Sequence, residues 1–165
     1  MDQARPAQPA APARPAVPED AEELVRLRQV MIESMAGPGT DTAWQERAVA
    51  ELRRRLGDPD GDLAAFVVDR PGGLAACAVG TVDRRLGGPG NPEGLTGHVF
   101  NVATDLGLRR RGHARACTAA LLGWFRERGV PRVDLRASAE AEPLYASLGF
   151  VRTPDPSMRL TLGRP

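Results

Sequence analysis

The sequence predicts an α+β (mixed α/β) domain, with helices on both faces of a mixed sheet. Apolar runs of strand length alternate with segments of helical periodicity, in the order β, α, α, β, β, β, α, β, α, β, β. A Pro-Gly-Gly turn at residues 71–73 joins two of these runs, as in an antiparallel hairpin. A helical segment separates the predicted strands at 98–102 and 133–137, which is the connection that parallel strands need. Hairpins beside a parallel pair therefore predict a mixed sheet.

Composition limits the classes of protein to consider. The 165 residues, 42% of them apolar, fit one domain over residues 13–165 after a flexible, Pro- and Ala-rich tail over residues 1–12. A net charge of +1 argues against bulk attraction to nucleic acid or a membrane. All 22 basic residues are arginine, which excludes Schiff-base chemistry on a lysine and the lysine-bearing phosphate loop. Because no apolar run approaches 18 residues and no secretory signal is visible, we expect a cytoplasmic protein.

The first predicted elements are a short strand and two helices. Arg14–Val17 is predicted to form a strand. A helix is expected to start at Asp20, with Glu23 completing a capping pair. A second helix is expected to start near residue 41 or 42, with Thr42 and Gln45 capping each other. A glycine directly follows each helical pattern and is predicted to end it.

The rest of the chain is rich in predicted strands. The remaining elements are strands at 63–68, 74–82 and 98–102, a helix at 112–128, a strand at 133–137, a short helix over 144–148, and strands at 150–151 and 158–162. The loop Leu86–Gly97 holds five glycines and two prolines, which predicts a mobile loop beside the substrate. Cys77 and Cys117 lie among apolar residues and are expected to be buried and reduced, with no disulfide and no metal site.

The most informative segment is the turn Arg109-x-x-Gly112-x-Ala114, which follows a strand and opens a helix. Helix N-termini present free N–H groups and a partial positive charge, and glycine lets the backbone approach an anion closely. Arg110 and Arg111 add positive charge to that of Arg109. These features predict a pyrophosphate site. A solvated arginine run beside an ordinary glycine turn explains the spacing equally well.

A second motif, Leu144-Tyr145-Ala146-Ser147-Leu148-Gly149-Phe150, follows the predicted helix and strand. Together, in this order, the two motifs resemble the GNAT superfamily of acyl-CoA-dependent N-acetyltransferases, with the similarity strongest from about His98 to Phe150. The resemblance implies a GNAT-like fold: a mixed, mostly antiparallel sheet in which one parallel strand pair splays apart, with helices on both faces.

The resemblance also implies the residues that hold acetyl-CoA, the co-substrate. Backbone groups of the splayed strand would bind the pantetheine arm, and the arginine-glycine turn would take the pyrophosphate. Ser138 could bond the pantetheine, but a cap on the next helix is the role we favour. His113 stands where an apolar residue is commoner in the family, which matters little to a turn that binds through its backbone. The residues expected to contact acetyl-CoA are Val102, Ala103, Thr104, Arg109, Arg110, Arg111, Gly112, His113, Ala114 and Ser138.

The reaction implied is direct attack of a primary amine, on a small molecule or a peptide, on the acetyl thioester. Tyr145, the only tyrosine, resembles the proton donor to the leaving thiolate; a packing role is its alternative. His98 is our first choice of general base, because histidine has an ordinary pKa of about 6.5 and because this one shares the facing parity of Val102. Glu33 and Asp105 are its rivals.

Two other functions remain as alternatives. A non-catalytic domain could bind and sense acyl-CoA, and residues 109–115 could contact nucleic acid, although the near-zero net charge disfavours the second reading. The resemblance also makes a homodimer possible. The acceptor is expected to depend on the loops Met35–Thr40 and Leu86–Gly97, which carry no chemical signature.

Overall fold

The computed structural model describes residues 11–163. The tail predicted over residues 1–12 therefore falls almost wholly outside the described residues. The elements are β1 (Arg14–Pro15), α1 (Ala21–Ala36), α2 (Gln45–Leu56), β2 (Leu63–Arg70), β3 (Gly73–Arg84), β4 (Leu95–Thr104), α3 (His113–Glu127), β5 (Val133–Leu135) and α4 (Glu142–Ser147). Short 3₁₀ turns lie at Pro18–Asp20 and Leu106–Leu108. No helix within 11–163 has the length and apolarity needed to cross a membrane.

The five strands form one sheet in the order β1-β2-β3-β4-β5. Every neighbouring pair is antiparallel except β4 and β5, which are parallel. Their pairing covers only Gly97–Val99 against Val133–Leu135, after which β4 continues for five more residues without β5. The mixed sheet is confirmed, and so is the divergence of its parallel strands.

Both faces of the sheet are covered, which explains why β3 is apolar along most of its length. Ala76 and Ala78 face a cluster built with α3, whereas Cys77 and Val79 face a cluster built with α1. Strands buried on both faces lose the usual polar alternation. Cys77 and Cys117 are free and buried, as predicted, and burial raises the pKa of each thiol to about 12. Both therefore remain protonated thiols at neutral pH.

A bulge interrupts the pairing of β3 with β4. Gly80 pairs with Val99, but the next residue back along β3, Val79, pairs with Asn101. Phe100 is thus an extra residue on β4 with no partner opposite it. An extra residue in one strand reverses the facing of every side chain beyond it.

The reversal separates two residues that we expected to share a face. Gly97 and Val99 face α3, and a Cβ on Gly97 would lie 2.8 Å from the Phe125 ring. His98 therefore faces the α1 side, whereas Val102, beyond the bulge, packs against the α3 side. The prediction that His98 and Val102 share a facing parity is wrong, because it assumed a regular strand.

The start of α1 also differs from prediction. The helix begins at Ala21, and Asp20 makes no side-chain cap there. Its carboxylate instead binds the Arg14 guanidinium at 2.8 Å and accepts from the Val17 N–H. Glu23 pairs with Arg26 and accepts from the Leu74 N–H. The predicted capping pair is wrong because both carboxylates have partners outside the first turn of the helix.

The second helix begins at Gln45 rather than at residue 41 or 42, and no side chain caps it. Gln45 meets Thr42 only through the backbone, at 3.0 Å, while its side chain donates to Gln29 of α1. The predicted reciprocal cap is therefore wrong. The side chain that would have closed the cap joins the two helices instead.

The two final predicted strands are absent. Residues 150–151 and 158–162 belong to no strand. Phe150 packs edge-on to Tyr145, with ring centroids 5.9 Å apart, but Met158, Leu160 and Leu162 are each at least 80% exposed. Alternation of apolar residues predicts a strand only where a sheet edge receives it, and here no strand pairs with the outer edge of β5 within the described chain.

Candidate active site

A cleft of about 1160 Å³ opens where β4 and β5 diverge. Its walls come from α1, the second half of β4, the turn before α3, the segment after β5, and α4. Most of the predicted site residues line it: His98, Val102, Ala103, Thr104, Arg109, Arg110, Gly112, Ala114, Ser138 and Tyr145. Arg111, His113, Glu33 and Asp105 do not. The divergence of the strands therefore brings both predicted motifs to one place.

Beyond Val99 the outer edge of β4 has no strand beside it. Val102, Ala103 and Thr104 pair with β3 on one edge only, and all three line the cleft. Main-chain groups on an unpaired edge can bond an extended ligand as an added strand would. This edge is therefore free to receive an extended ligand.

The turn before α3 has an unusual backbone. Gly112 has a φ of +80° and is the N-cap, and Arg110 has a φ of +61°, the only positive φ of a non-glycine residue within 11–163. The first helical hydrogen bond runs from the Ala116 N–H to the Gly112 carbonyl at 3.0 Å. The N–H groups of residues 113–115 therefore have no acceptor inside the helix. This end of α3 can accept an anion through its backbone.

An ion cluster holds the start of this turn. The Asp105 carboxylate lies 2.9 Å from Arg70 and 3.3 Å from Arg26, and it also accepts from the Leu106 N–H. Asp105 is thus engaged by two guanidinium groups outside the cleft. Glu33 likewise lies outside the cleft and accepts from Gln29. Neither rival of His98 lines the cleft.

Tyr145 lies on α4 with its ring buried and one edge at the cleft. Burial raises the pKa of its phenol, so the hydroxyl stays protonated at neutral pH. It makes no hydrogen bond to any residue of the described chain. A neutral, unengaged hydroxyl at a cleft is able to donate a proton.

Ser138 lies in the turn that leads into α4. Its hydroxyl accepts from the Ala141 N–H at 3.2 Å, and its carbonyl accepts from Glu142. The N-cap of α4 is Ala141, and no side chain caps the helix, so the predicted cap by Ser138 is wrong; Ser138 bonds within the preceding turn and also lines the cleft.

His98 reaches the cleft from the α1 side. Its ring stacks beside Phe100, with centroids 6.3 Å apart and an interplanar angle of 16°. His113, by contrast, keeps its Nδ1 buried without a partner among the described residues. Arg111 makes one long contact, at 3.5 Å, to the Gly107 carbonyl.

One wall of the cleft differs from the expectation. No residue of 86–97 lines it, and this loop forms a turn in which Asn91 bonds both backbone groups of Leu95. The prediction that this loop borders the substrate therefore gains no support from the lining of this cleft and stays a prediction. The α1 residues Val30, Met31, Ser34 and Met35 form that wall instead. Of these, only Met35 belongs to a segment that the sequence indicated.

Comparisons with known proteins agree with this geometry. Residues 26–150 match the acetyltransferase (GNAT) family. A mycothiol acetyltransferase of Thermobispora bispora is 36% identical over 106 residues, which are 62% of this chain and 35% of that protein, so the chain spans about a third of that relative's length.

Two solved structures have a similar fold. A GCN5-related N-acetyltransferase from Ralstonia eutropha JMP134 has a TM-score of 0.72 at 27% identity and covers 90% of this chain and 97% of its own. A predicted acetyltransferase with acetyl-CoA from Clostridium acetobutylicum has a TM-score of 0.77 at 21% identity. The match covers 90% of this chain and 94% of that one. With most of its length matched by the family, this chain belongs to the acetyltransferase (GNAT) family.

Proposed function

We propose that the protein transfers the acetyl group of acetyl-CoA to a primary amine of a small molecule or peptide by direct attack. The observation that carries the proposal is the meeting of three features in one cleft: the unpaired edge of β4, the N-terminus of α3, and the Tyr145 hydroxyl. A coenzyme bound along the first two would present its thioester near the third.

The coenzyme needs two kinds of contact, and the cleft supplies both. The edge of β4 at residues 102–104 offers main-chain donors and acceptors to the pantetheine amides. The N–H groups at the start of α3, with Arg109 and Arg110 beside them, offer donors and positive charge to the pyrophosphate. Gly112 keeps that approach free of a side chain.

Two side chains carry the proton transfers in this proposal. His98 accepts a proton from the attacking amine, directly or through water, because it lines the cleft together with residues of α1. Tyr145 donates a proton to the departing thiolate. The thioester is already activated, so positioning of the amine supplies much of the remaining rate enhancement.

The decisive experiment is a screen of primary amines with acetyl-CoA, with release of free thiol as the readout. Because the chain is similar to a mycothiol acetyltransferase, the panel should include amines related to mycothiol beside amino acids, peptides and polyamines. Thiol release that depends on the amine and on Tyr145 supports the proposal. Tight acetyl-CoA binding without turnover across the panel would favour the sensor instead. Size measurements in the same buffer decide whether the protein is a homodimer.

A further inference from the structure

The two arginines of α1 have very different surroundings. Arg26 binds two carboxylates, those of Glu23 and Asp105. Arg28 is half-buried, yet no carboxylate oxygen within residues 11–163 lies within 4.0 Å of its guanidinium. Its guanidinium has two contacts. The guanidinium carbon lies 5.9 Å from the centroid of the Trp44 ring, and a guanidinium nitrogen donates to the Asn101 side-chain oxygen at 3.4 Å. A positive charge removed from most of the solvent is thus left without a counter-ion.

Asn101, the second member of this pair, is a buried amide with weak bonds. Only 3% of the residue is exposed. Its nitrogen donates to the Cys77 sulfur at 3.7 Å, and its oxygen accepts from Arg28 at the long distance of 3.4 Å. Buried polar groups normally have strong partners, since leaving them poorly satisfied costs free energy. Two adjacent groups with spare hydrogen-bonding capacity on one face indicate a place for a ligand.

Neither residue of the pair lines the cleft itself, but both lie directly beside residues of its α1 wall and of β4 that do. Arg28 precedes Met31 by three residues and Met35 by seven, so all three share a face of α1, and both methionines line the cleft. Asn101 stands between two residues of β4 that also line it. The bulge at Phe100 is what turns Asn101 towards α1. The coenzyme's phosphates, in contrast, are expected at the start of α3, on the other side of the sheet.

We propose that Arg28 and Asn101 form a subsite for a carboxylate carried by the amine acceptor. The proposal rests on the proposed function and narrows its substrate class to amines that also bear a carboxylate. A guanidinium binds both oxygens of a carboxylate through its planar pair of N–H groups. The single positive charge of Arg28 and the amide donor of Asn101 match the single negative charge of a carboxylate. A phosphate dianion would need further positive charge.

The weak contacts of Arg28 suit this role. A carboxylate entering past Met31 replaces the long bond to Asn101 with charge-assisted bonds, which are shorter and about twice as strong. The Trp44 ring continues to hold the guanidinium through a cation–π contact. Asn101 then turns its amide nitrogen from sulfur to an oxygen of the ligand.

The test compares acceptors in matched pairs, each an amine with a free carboxylate and the same amine as its carboxamide: amino acids, dipeptides and ω-amino acids. The wild-type protein should prefer the carboxylate member. Arg28→Gln should raise KM for that member about 10- to 100-fold and leave KM for the carboxamide and for acetyl-CoA unchanged. Arg28→Lys keeps the charge but not the planar pair of donors. Its KM for the carboxylate member should therefore lie between the values for the wild type and for Arg28→Gln. Arg47→Gln, on the exposed face of α2, is the control and should change nothing.

Three results would overturn the subsite: no preference for the carboxylate in any pair, an equal loss for both members in Arg28→Gln, or a loss confined to acetyl-CoA. Failure of the proposed function looks different, because no amine then releases thiol. In that case calorimetry of the same paired amines with the CoA-loaded protein decides the subsite alone. Binding of the carboxylate members that Arg28→Gln abolishes supports it, and equal or absent binding of both members contradicts it.

Discussion

The Asp105 carboxylate lies 2.9 Å from the Arg70 guanidinium and so joins the end of β4 to the β2–β3 hairpin. Arg26 of α1 meets the same carboxylate at 3.3 Å, and the Asp105 N–H donates to the Ala75 carbonyl at 2.8 Å. Three parts of the fold therefore converge on the residue from which the turn before α3 departs. This arrangement gives Asp105 a structural role in setting the position of the turn.

Replacing Asp105 with asparagine should weaken coenzyme binding as well as folding. Asp105 and its two arginine partners are partly exposed, so the free energy of unfolding should fall by about 1 kcal/mol. For a protein of this size that loss lowers Tm by about 2–4 °C. A similar loss in coenzyme binding corresponds to about fivefold in Kd. Calorimetry and thermal unfolding measure the two effects. Asp83→Asn, at an exposed 4.0 Å pair, is the control; coenzyme affinity equal in both variants would leave Asp105 without influence on the turn.

Gly112→Val should abolish the thermal stabilisation that acetyl-CoA and CoA give the wild-type protein. A ligand that binds only the native state raises Tm, and a branched side chain at this N-cap would both obstruct the anion and strain a φ of +80°. Gly129→Val is the matched control, because Gly129 has a φ of +69° but open space around it at the other end of α3. A folded Gly112→Val protein that binds coenzyme normally would contradict the pyrophosphate assignment.

Tyr145→Phe should lower kcat by about 100- to 10,000-fold if the hydroxyl is the general acid. The ring and its edge-on contact with Phe150 remain, so Tm should hardly change. Coenzyme affinity should also stay close to that of the wild type, since at most one hydrogen bond is lost. Steady-state kinetics with a good acceptor supply the measurement. If chemistry limits the rate and kcat is unaltered, Tyr145 only packs.

Glu23 should make folding sensitive to acid. Its hydrogen bond from Arg26 holds the pKa of the carboxyl below the ordinary value of about 4.3. The resulting stability is complete above that ordinary value and disappears as pH falls through the lower pKa of the folded state. As pH is lowered from about 5 to about 3, the Tm of Glu23→Gln should therefore fall less than the Tm of the wild type. Glu46→Gln, at an exposed position of α2, is the control, and its Tm should vary with pH as in the wild type. The same dependence of Tm on pH in all three proteins would show that Glu23 does not make folding sensitive to acid.

Local signals in the sequence predicted the elements that depend on local structure. The β2–β3 hairpin and α3 were predicted because turn residues and apolar periodicity act within a few residues of one another. The clustering of Gly112 and Tyr145 followed from family motifs. The capping pair of Asp20 and Glu23 failed for the opposite reason, since distant partners, Arg14 and Leu74 among them, compete for the same carboxylates.

Other features depend on strand pairing, which no single segment encodes. The bulge at Phe100 exists only relative to β3, so the facing of His98 could not be read from its own strand. The alternation of Met158, Leu160 and Leu162 has the strand period, yet these residues have no strand beside them. The subsite proposed at Arg28 likewise required the structure, because its partners come from α1, β4 and the segment before α2.

The extra residue in β4 also governs which mutations the strand can tolerate. The buried positions alternate in one phase along β4, but the layer that buries them changes: Gly97 and Val99 lie against α3 before Phe100, and Ala103 lies in the α1-side cluster after it. A saturation library across β4 should therefore show one alternating tolerance pattern, in which changes in α3 compensate for substitutions before Phe100 and changes in α1 compensate for those after it. Deletion of Phe100 alone would remove the bulge and leave Val99, Asn101 and Val102 on their present faces, so the fold should tolerate this deletion better than deletion of either neighbour.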